Sequence, residues 1–243
     1  MMARDFSKRS VEHELMDEEG WEFETFRGCL RDLAKVNVVT LAHRPTLAFL
    51  EALRRAGRLD LDRPLEVVDV GSGYGDLLAA IAGWARRHDI PVRLVGLDLN
   101  PWSARAAAAA WTEEATPLWI TQDVFAFNGR CDLVVSSLFT HHLPEPELIR
   151  FLTWMETSAR MGWFVNDLHR HAAPYYGFKL LARAMRWHPF VRHDGPVSIA
   201  RAFTLTDWRG YLRQADLDGA GVQLRWRFPF RLCVARWKAP CPA

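Results

Sequence analysis

Val67-Val68-Asp69-Val70-Gly71-Ser72-Gly73-Tyr74-Gly75-Asp76 decides the fold, because a buried apolar run opens abruptly into three glycines at alternate positions. Valines bounded by a glycine cluster read as a parallel strand covered on both faces. Glycine allows tight backbone conformations, and without Cβ a ligand can lie directly on the main chain. Leu77-Leu78-Ala79-Ala80-Ile81-Ala82 then supplies a helix whose N-terminal amides and dipole face the same turn. Together these features describe a nucleotide-binding turn.

Working outward, Val92–Asn100 (VRLVGLDLN) reads as a second strand ending in an acid, at the distance where such folds place a ribose-binding carboxylate. Asp98 can accept both vicinal hydroxyls. Pro101 and an alanine-rich helix follow. Trp119-Ile120-Thr121-Gln122-Asp123-Val124 reads as a third strand, with Asp123 placed to accept from an exocyclic amine. Expected elements are strands near 65–71, 92–98, 118–123, 131–137 and 162–167, with helices over 76–88, 101–113 and 145–159. This alternation predicts a parallel sheet with helices on both faces, and ligands outside the carboxyl ends of the strands. Val222–Phe228 and Phe230–Trp237 alternate like an antiparallel pair, and Pro229 between them argues for a bent join.

These residues resemble class I methyltransferases that use S-adenosylmethionine. VVDVGSGYGD is similar to their first motif, GLDLN to the second, TQDVF to the third, and CDLVVSSLFTHHL to the fourth strand with its trailing loop. A dinucleotide-binding fold would show GxGxxG, whereas Gly71, Gly73 and Gly75 alternate. The resemblance implies a Rossmann-like, seven-stranded, mostly parallel α/β sheet with an antiparallel C-terminal strand. It also implies S-adenosylmethionine as cofactor and S-adenosylhomocysteine as product. By the same resemblance Asp69 steadies the loop, and Gly71, Ser72, Gly73 and Gly75 flank the methionine end. Asp98 and Leu99 would meet the ribose, Asp123 and Val124 the adenine, and Ser136 and Leu138 the methionine side. A purely structural Asp69, bonding loop amides, is the plainer alternative.

At 243 residues, 49% hydrophobic and 25% charged, the chain is globular material with enough length for one large core. A formal charge of +2 excludes a global field that demands nucleic acid, and no DNA partner is expected. The charge is uneven: 13 Lys and Arg face 5 Asp and Glu from Arg160 to Arg236, against 11 and 13 from Met1 to Glu66. That asymmetry suits either an anionic partner or a solvated surface. Cys29, Cys131, Cys233 and Cys241 are scattered, which fits reduced thiols in a cytoplasmic protein better than a zinc ribbon or disulfide framework. No apolar run of about 18 residues suggests a membrane span.

Residues 1–63 read as an N-terminal helical cap before a methyltransferase domain over 64–243. Phe23, Phe26, Leu30 and Leu33 share a helix face, and Leu47, Leu50 and Leu53 repeat the pattern up to Gly57. An insert over about 169–205 is the least generic part. Within it Pro174 can begin a helix and Pro189 end it, with Phe178, Leu181 and Met185 on one face and Lys179, Arg183 and Arg186 largely on another. This suits a lid over an apolar substrate, a surface over 174–189 that touches anionic lipid, or an ordinary cap helix. The phrases RDLAKVN, NDLHRH, APYYGFKLL and VRHDGPVSIARAF resemble small bacterial methyltransferases encoded beside type III polyketide synthases, within the broader polyprenyl-benzoquinol methylase type. The implied acceptor is a hydrophobic phenolic, polyketide-like or quinol small molecule.

Methyl transfer from a sulfonium needs alignment and dryness, and a phenol or enol acceptor also needs one base near neutral pKa. Among the histidines the order of expectation is His169, then His142, then His193, whose neighbour Asp194 could orient it. His141 or His142 could instead hydrogen-bond backbone to shape its loop. A metal is not expected. Magnesium-dependent catechol methyltransferases carry acids after both the fourth and fifth strands, and although Asn166-Asp167 fits the second place, Ser136-Ser137 stands at the first. RNA methylation and a non-catalytic binder of the cofactor are the competing functions.

Overall fold

The computed structural model describes residues 4–17, 20–59, 63–114, 116–219 and 221–238. Seven strands form one sheet: β1 (Leu65–Val70), β2 (Val92–Asp98), β3 (Leu118–Thr121), β4 (Cys131–Ser137), β5 (Ala159–Leu168), β6 (Val222–Arg227) and β7 (Arg231–Trp237). Their order is β3-β2-β1-β4-β5-β7-β6. β1 to β5 are parallel, with Val68 beside both Val95 and Val134, and β7 runs antiparallel between β5 and β6. The chain reverses between β1 and β4, so their carboxyl ends open the crevice where ligands of such sheets bind.

Among the described residues eight helices pack around it: α1 (Phe23–Val39), α2 (Arg44–Arg55), α3 (Asp76–Arg87), α4 (Pro101–Ala110), α5 (Glu145–Ser158), α6 (Ala172–Ala184), α7 (Pro189–Arg201) and α8 (Leu205–Gln214). One face of the sheet is closed by α5 and α8, whose Phe151, Met155 and Trp208 meet Val134, Trp163 and Val165. The other is closed by α2 and α3, whose Leu50, Leu53, Leu78 and Ile81 meet Val67, Leu133 and Val135. Gly57 takes φ 63° and ends α2 where the sequence places the stop, its amide bonding Arg54 O and that of Arg58 bonding Leu53 O.

The insert differs from the single helix expected there. Pro189 does not end a helix; it occupies the first turn of α7, where its fixed φ and missing N–H cost nothing. α6 stops at Ala184, and Gly195 lets α7 approach so closely that a Cβ there would sit 2.0 Å from the Phe178 ring. Phe178 and Leu181 pack with Trp187, Phe190 and Val191 against α1, but Met185 is exposed, as are Leu180 and Tyr176. The apolar face is therefore largely used inside the molecule. No helix among the described residues is long and apolar enough to cross a membrane.

Part of the C-terminal cationic excess is paired or buried within the chain. Arg160 pairs with Glu66 and Asp132, Arg170 with Asp207, Arg201 with Asp17 and Arg236 with Glu156, while Arg231 is buried. Cys29, Cys131 and Cys233 are free and buried, and burial pushes each thiol up to about 12. Cys241 lies outside the described residues.

Asp132 is 1% exposed and takes both arms of Arg63, the Arg160 Nε and the Glu66 amide at 2.6–3.0 Å, tying the starts of β1 and β4 together. Asp132→Ala is expected to lower unfolding free energy by about 3 kcal/mol, seen as a lower urea midpoint at unchanged slope.

Candidate active site

The glycine turn is built by three left-handed residues, Gly71 at φ 73°, Gly73 at φ 50° and Gly75 at φ 77°. Space is as restrictive as conformation: a Cβ on Gly71 would stand 2.6 Å from the Phe139 ring, and one on Gly75 2.5 Å from the Trp119 ring. The turn hangs from β2 through the Gly71 amide on Leu97 O, and the Gly73 amide donates to Asp98 Oδ2 at 2.9 Å. Asp98 Oδ1 accepts from the Asn100 amide. Asp69 is 2% exposed, and its Oδ1 has no hydrogen-bond partner. Burial, with the fields of Asp76 and Asp98 added, holds its carboxyl well above the ordinary range. Asp69 does not bond loop amides through that oxygen, so the plainer alternative leaves it unexplained.

The turn opens onto a cavity of about 1110 Å³, larger than the ~300–1,000 Å³ usual for one small ligand. Asp69, Gly71, Ser72, Gly73, Asp98, Leu99, Asp123, Val124 and Leu138 all line it. Gly75 lies just behind, as the N-cap of α3. Asp123 caps the short turn after β3 by accepting from the Phe125 amide. Ser136 departs from its expected place. Side chains alternate along β4, so the Ser136 hydroxyl donates to Val70 O inside the sheet and Ser137 faces the cavity instead.

The structure separates the three histidines. Only His142 lines the cavity. Leu168 faces the cavity, and one residue later His169 turns away, lying 5.7 Å from the His171 ring with its amide on Phe230 O. Burial lowers the His169 pKa, and the charges of His171 and Arg170 add to this, but the residue does not line the cavity. His193 does meet Asp194, at 2.8 Å, yet it faces outward beside Lys179, Arg183 and Arg192. Neighbours on a helix cannot point the same way, and it is Asp194 that faces inward. Its carboxylate accepts the Leu15 and Met16 amides, fastening the N-terminal segment over the cavity.

A residue ranked below these takes the central place. His141 is 2% exposed and lines the cavity, its Nδ1 2.7 Å from Asp167 Oδ1. Asp167 also accepts the Thr140 hydroxyl and the amides of His141 and Leu168. Burial pushes the Asp167 pKa up, but the His141 charge and these bonds outweigh it and bring the carboxyl down to about 2. On the far side of the ring, His141 Nε2 is 3.7 Å from Glu14 Oε1. His142 lies beside it, the ring centroids 4.4 Å apart and the planes tilted by 35°, with Nδ1 3.2 Å from Asp17 Oδ2 and Nε2 3.7 Å from Glu14 Oε2. Burial lowers the His142 pKa, while Asp17 and Glu14 raise it by more.

Sequence reasoning missed Glu14, Asp17, Asp76 and Arg231. Asp76 takes Asn37 Nδ2 and His43 Nε2, joining α1 and α2 to the turn. Arg231 is 2% exposed, lines the cavity and gives Nη2 to Thr40 Oγ1, and its Nε and Nη1 have no partner. Burial brings its pKa down to about 10. The isolated acids carried no signal in sequence, although Asp76 could have been flagged as the first residue of α3.

A family profile described as a methyltransferase domain matches residues 41–220. The chain belongs to this family, and it is a methyltransferase that uses S-adenosylmethionine. Known folds agree. The plantazolicin methyltransferase BpumL, in complex with a monoazolic desmethylPZN analog and SAH, is 12% identical with a TM-score of 0.61, over 89% of this chain and 96% of that one. Magnesium protoporphyrin IX methyltransferase (ChlM) from Synechocystis PCC 6803 with bound SAH is 20% identical with a TM-score of 0.50, covering 81% and 84%. The citrinin polyketide synthase CMeT domain is 15% identical with a TM-score of 0.58, over 80% of this chain and 52% of that one. No curated protein matches the sequence.

The cavity fits the cofactor. S-adenosylmethionine is cationic at sulfur and at its amino group, and the unpartnered Asp69 oxygen with Asp98 and Asp76 nearby forms an acidic floor beside a turn open to a ligand. Gly75→Ala is expected to abolish S-adenosylmethionine binding in calorimetry, because φ 77° and Trp119 both exclude a Cβ. Asp167 gives a second prediction. A carboxyl ordinarily near 3.8 but held at about 2 contributes stability in full above pH 4, lost as pH falls from about 4 to 2. Asp167→Asn should be less stable at neutral pH and lose less than the parent in acid denaturation across that window.

Proposed function

We propose that the protein methylates a hydroxyl oxygen of an apolar phenolic or polyketide-like small molecule. The observation that carries this reading is the buried Asp167–His141 pair, which presents His141 Nε2 on the cavity wall beyond the glycine turn. S-adenosylmethionine supplies the electrophilic methyl group when bound. The acceptor hydroxyl then needs to lose its proton, and Asp167 fixes the His141 ring so that Nε2 can take it while the electron pair stays on oxygen. His142 and Asp98 line the same cavity, so this wall and the proposed ribose-binding end share one space.

The rest of the cavity favours an apolar acceptor. Trp21, Phe26, Leu30, Leu33, Phe178 and Ile199, from α1, α6, α7 and the N-terminal segment, line it. This shell limits water around the transferring methyl, and Arg231 offers a guanidinium to a carbonyl or other oxygen of the acceptor. The phrases NDLHRH, APYYGFKLL and VRHDGPVSIARAF support the narrower likeness to enzymes encoded beside type III polyketide synthases. They fall in β5, α6 and α7, which border this shell.

Transfer of labelled methyl to a long-chain alkylresorcinol, a short water-soluble phenol and bulk transfer RNA tests the reading. The long-chain phenol should be labelled well above the short one, and label in RNA alone would overturn the proposal. His141→Ala should lower kcat by about 10²–10⁴-fold with little change in KM, while His169→Ala and His193→Ala stay within about twofold.

A further inference from the structure

Glu14, His141 and His142 bring one oxygen or nitrogen atom each within 4.8 Å of one another. Among the described residues this is the one group of His, Cys, Asp or Glu with metal-binding spacing. Both Glu14–imidazole separations are 3.7 Å, too long for hydrogen bonds. Two ligands about 2.1 Å from a shared ion at a tetrahedral angle lie roughly 3.4 Å apart. The spacing is thus closer to that of groups sharing an ion than to that of groups bonded to each other.

Three further observations point the same way. Glu14 is 5% exposed, yet its Oε1 has no hydrogen-bond partner. Each imidazole has Nδ1 on a carboxylate, His141 on Asp167 and His142 on Asp17, leaving both Nε2 atoms toward Glu14. That is the outer-shell arrangement which orients metal-binding histidines and raises their basicity. Charge agrees as well. Glu14 and Asp17 lie 3.7 Å and 3.2 Å from the Arg201 guanidinium, and Asp167 lies in the field of Arg231, so three carboxylates face two guanidinium groups. The negative remainder favours a cation.

We propose that Glu14, His141 and His142 bind one divalent transition-metal cation of the zinc class at the acceptor end of the cavity. Two imidazoles and one carboxylate suit zinc, iron or cobalt and disfavour magnesium, which takes oxygen ligands. All three residues line the cavity, so further coordination positions open toward the acceptor, as in sites where an ion takes part in chemistry. The inference rests on the reading of this wall as the acceptor site and specifies how it works when loaded. The imidazoles become ligands and the acceptor hydroxyl oxygen binds the ion. Its O–H bond is acidified, and the proton leaves to water while the electron pair stays on oxygen. The acid that the sequence lacks after β4 is supplied by Glu14, in the N-terminal segment.

Calorimetric titration of the chelator-treated full chain with Zn²⁺ is expected to show one equivalent bound, and Co²⁺ should give visible d–d absorption of the same stoichiometry. Glu14→Gln and His142→Asn should each weaken binding at least tenfold, and Asp167→Asn by about 10–100-fold. His193→Ala should bind as the parent does, and excess Mg²⁺ should not compete. S-adenosylmethionine binding by Glu14→Gln, a near-isosteric change, serves as the check on folding. Absence of stoichiometric binding, or binding unaltered by both Glu14→Gln and His142→Asn, would overturn the proposal. Methyl transfer separates the two readings. Loss of turnover on stripping, restored by Zn²⁺, supports the cation. Full turnover when stripped, with His141→Ala still inactive, removes the cation and leaves the imidazole as proton acceptor. Full turnover by His141→Ala removes the reading of the wall itself.

Discussion

The cavity wall proposed to face the acceptor depends on the carboxylate of Asp167, which is fully buried at the end of β5 and accepts the Thr140 hydroxyl, the His141 amide, the His141 ring and the Leu168 amide. An ionised group without solvent is costly unless its lone pairs are occupied, and here four donors occupy them. The loop after β4 can therefore take only one position relative to β5. That position turns His141 inward with its tautomer fixed and sets His142 beside it. The strained Leu138, at φ 58°, is held at the head of the same loop by its amide on Asn166 O.

Two acidic regions border the cavity. On the proposed donor side Asp69 is buried with an unpartnered oxygen and Asp98 is half-buried under the Gly73 and Asn100 amides, yet desolvation holds both carboxyls above the ordinary range. On the acceptor side Asp167 is held low because its donors outweigh its burial. The same residue type thus behaves oppositely a short distance away. The first region is incomplete until something cationic arrives, and the second is already complete and serves to orient an imidazole.

The roof comes from parts of the chain distant in sequence. Asp194 on α7 accepts two amides of the Leu15–Asp17 turn, and Arg201 reaches Asp17 and His142 O. Arg170, 3% exposed, holds Phe6 O, Ser7 O and Ala202 O while pairing with Asp207. The insert and the N-terminal segment are therefore one assembly. Several cations that look like a surface field in the sequence are the fasteners of this roof.

The sheet, its helices and the glycine-turn wall of the cavity were legible in the sequence alone. Glycines at φ 50–77° and strands buried on both faces leave local marks that few other structures share, so the place of Gly71, Gly73, Asp98 and Val124 on the cavity wall could be read from short segments. The helix stop at Gly57 was legible for the same reason. Only the tertiary structure decided the acceptor end. Whether a histidine after β4 or β5 faces the cavity depends on alternation at a strand end and on which carboxylate folds against it. Thus His169 turns outward, His141 turns inward, and Ser137 replaces Ser136. Glu14 and Asp17 lie more than 120 residues from the histidines they meet, and a contact over that separation exists only once the N-terminal segment is fastened over the sheet.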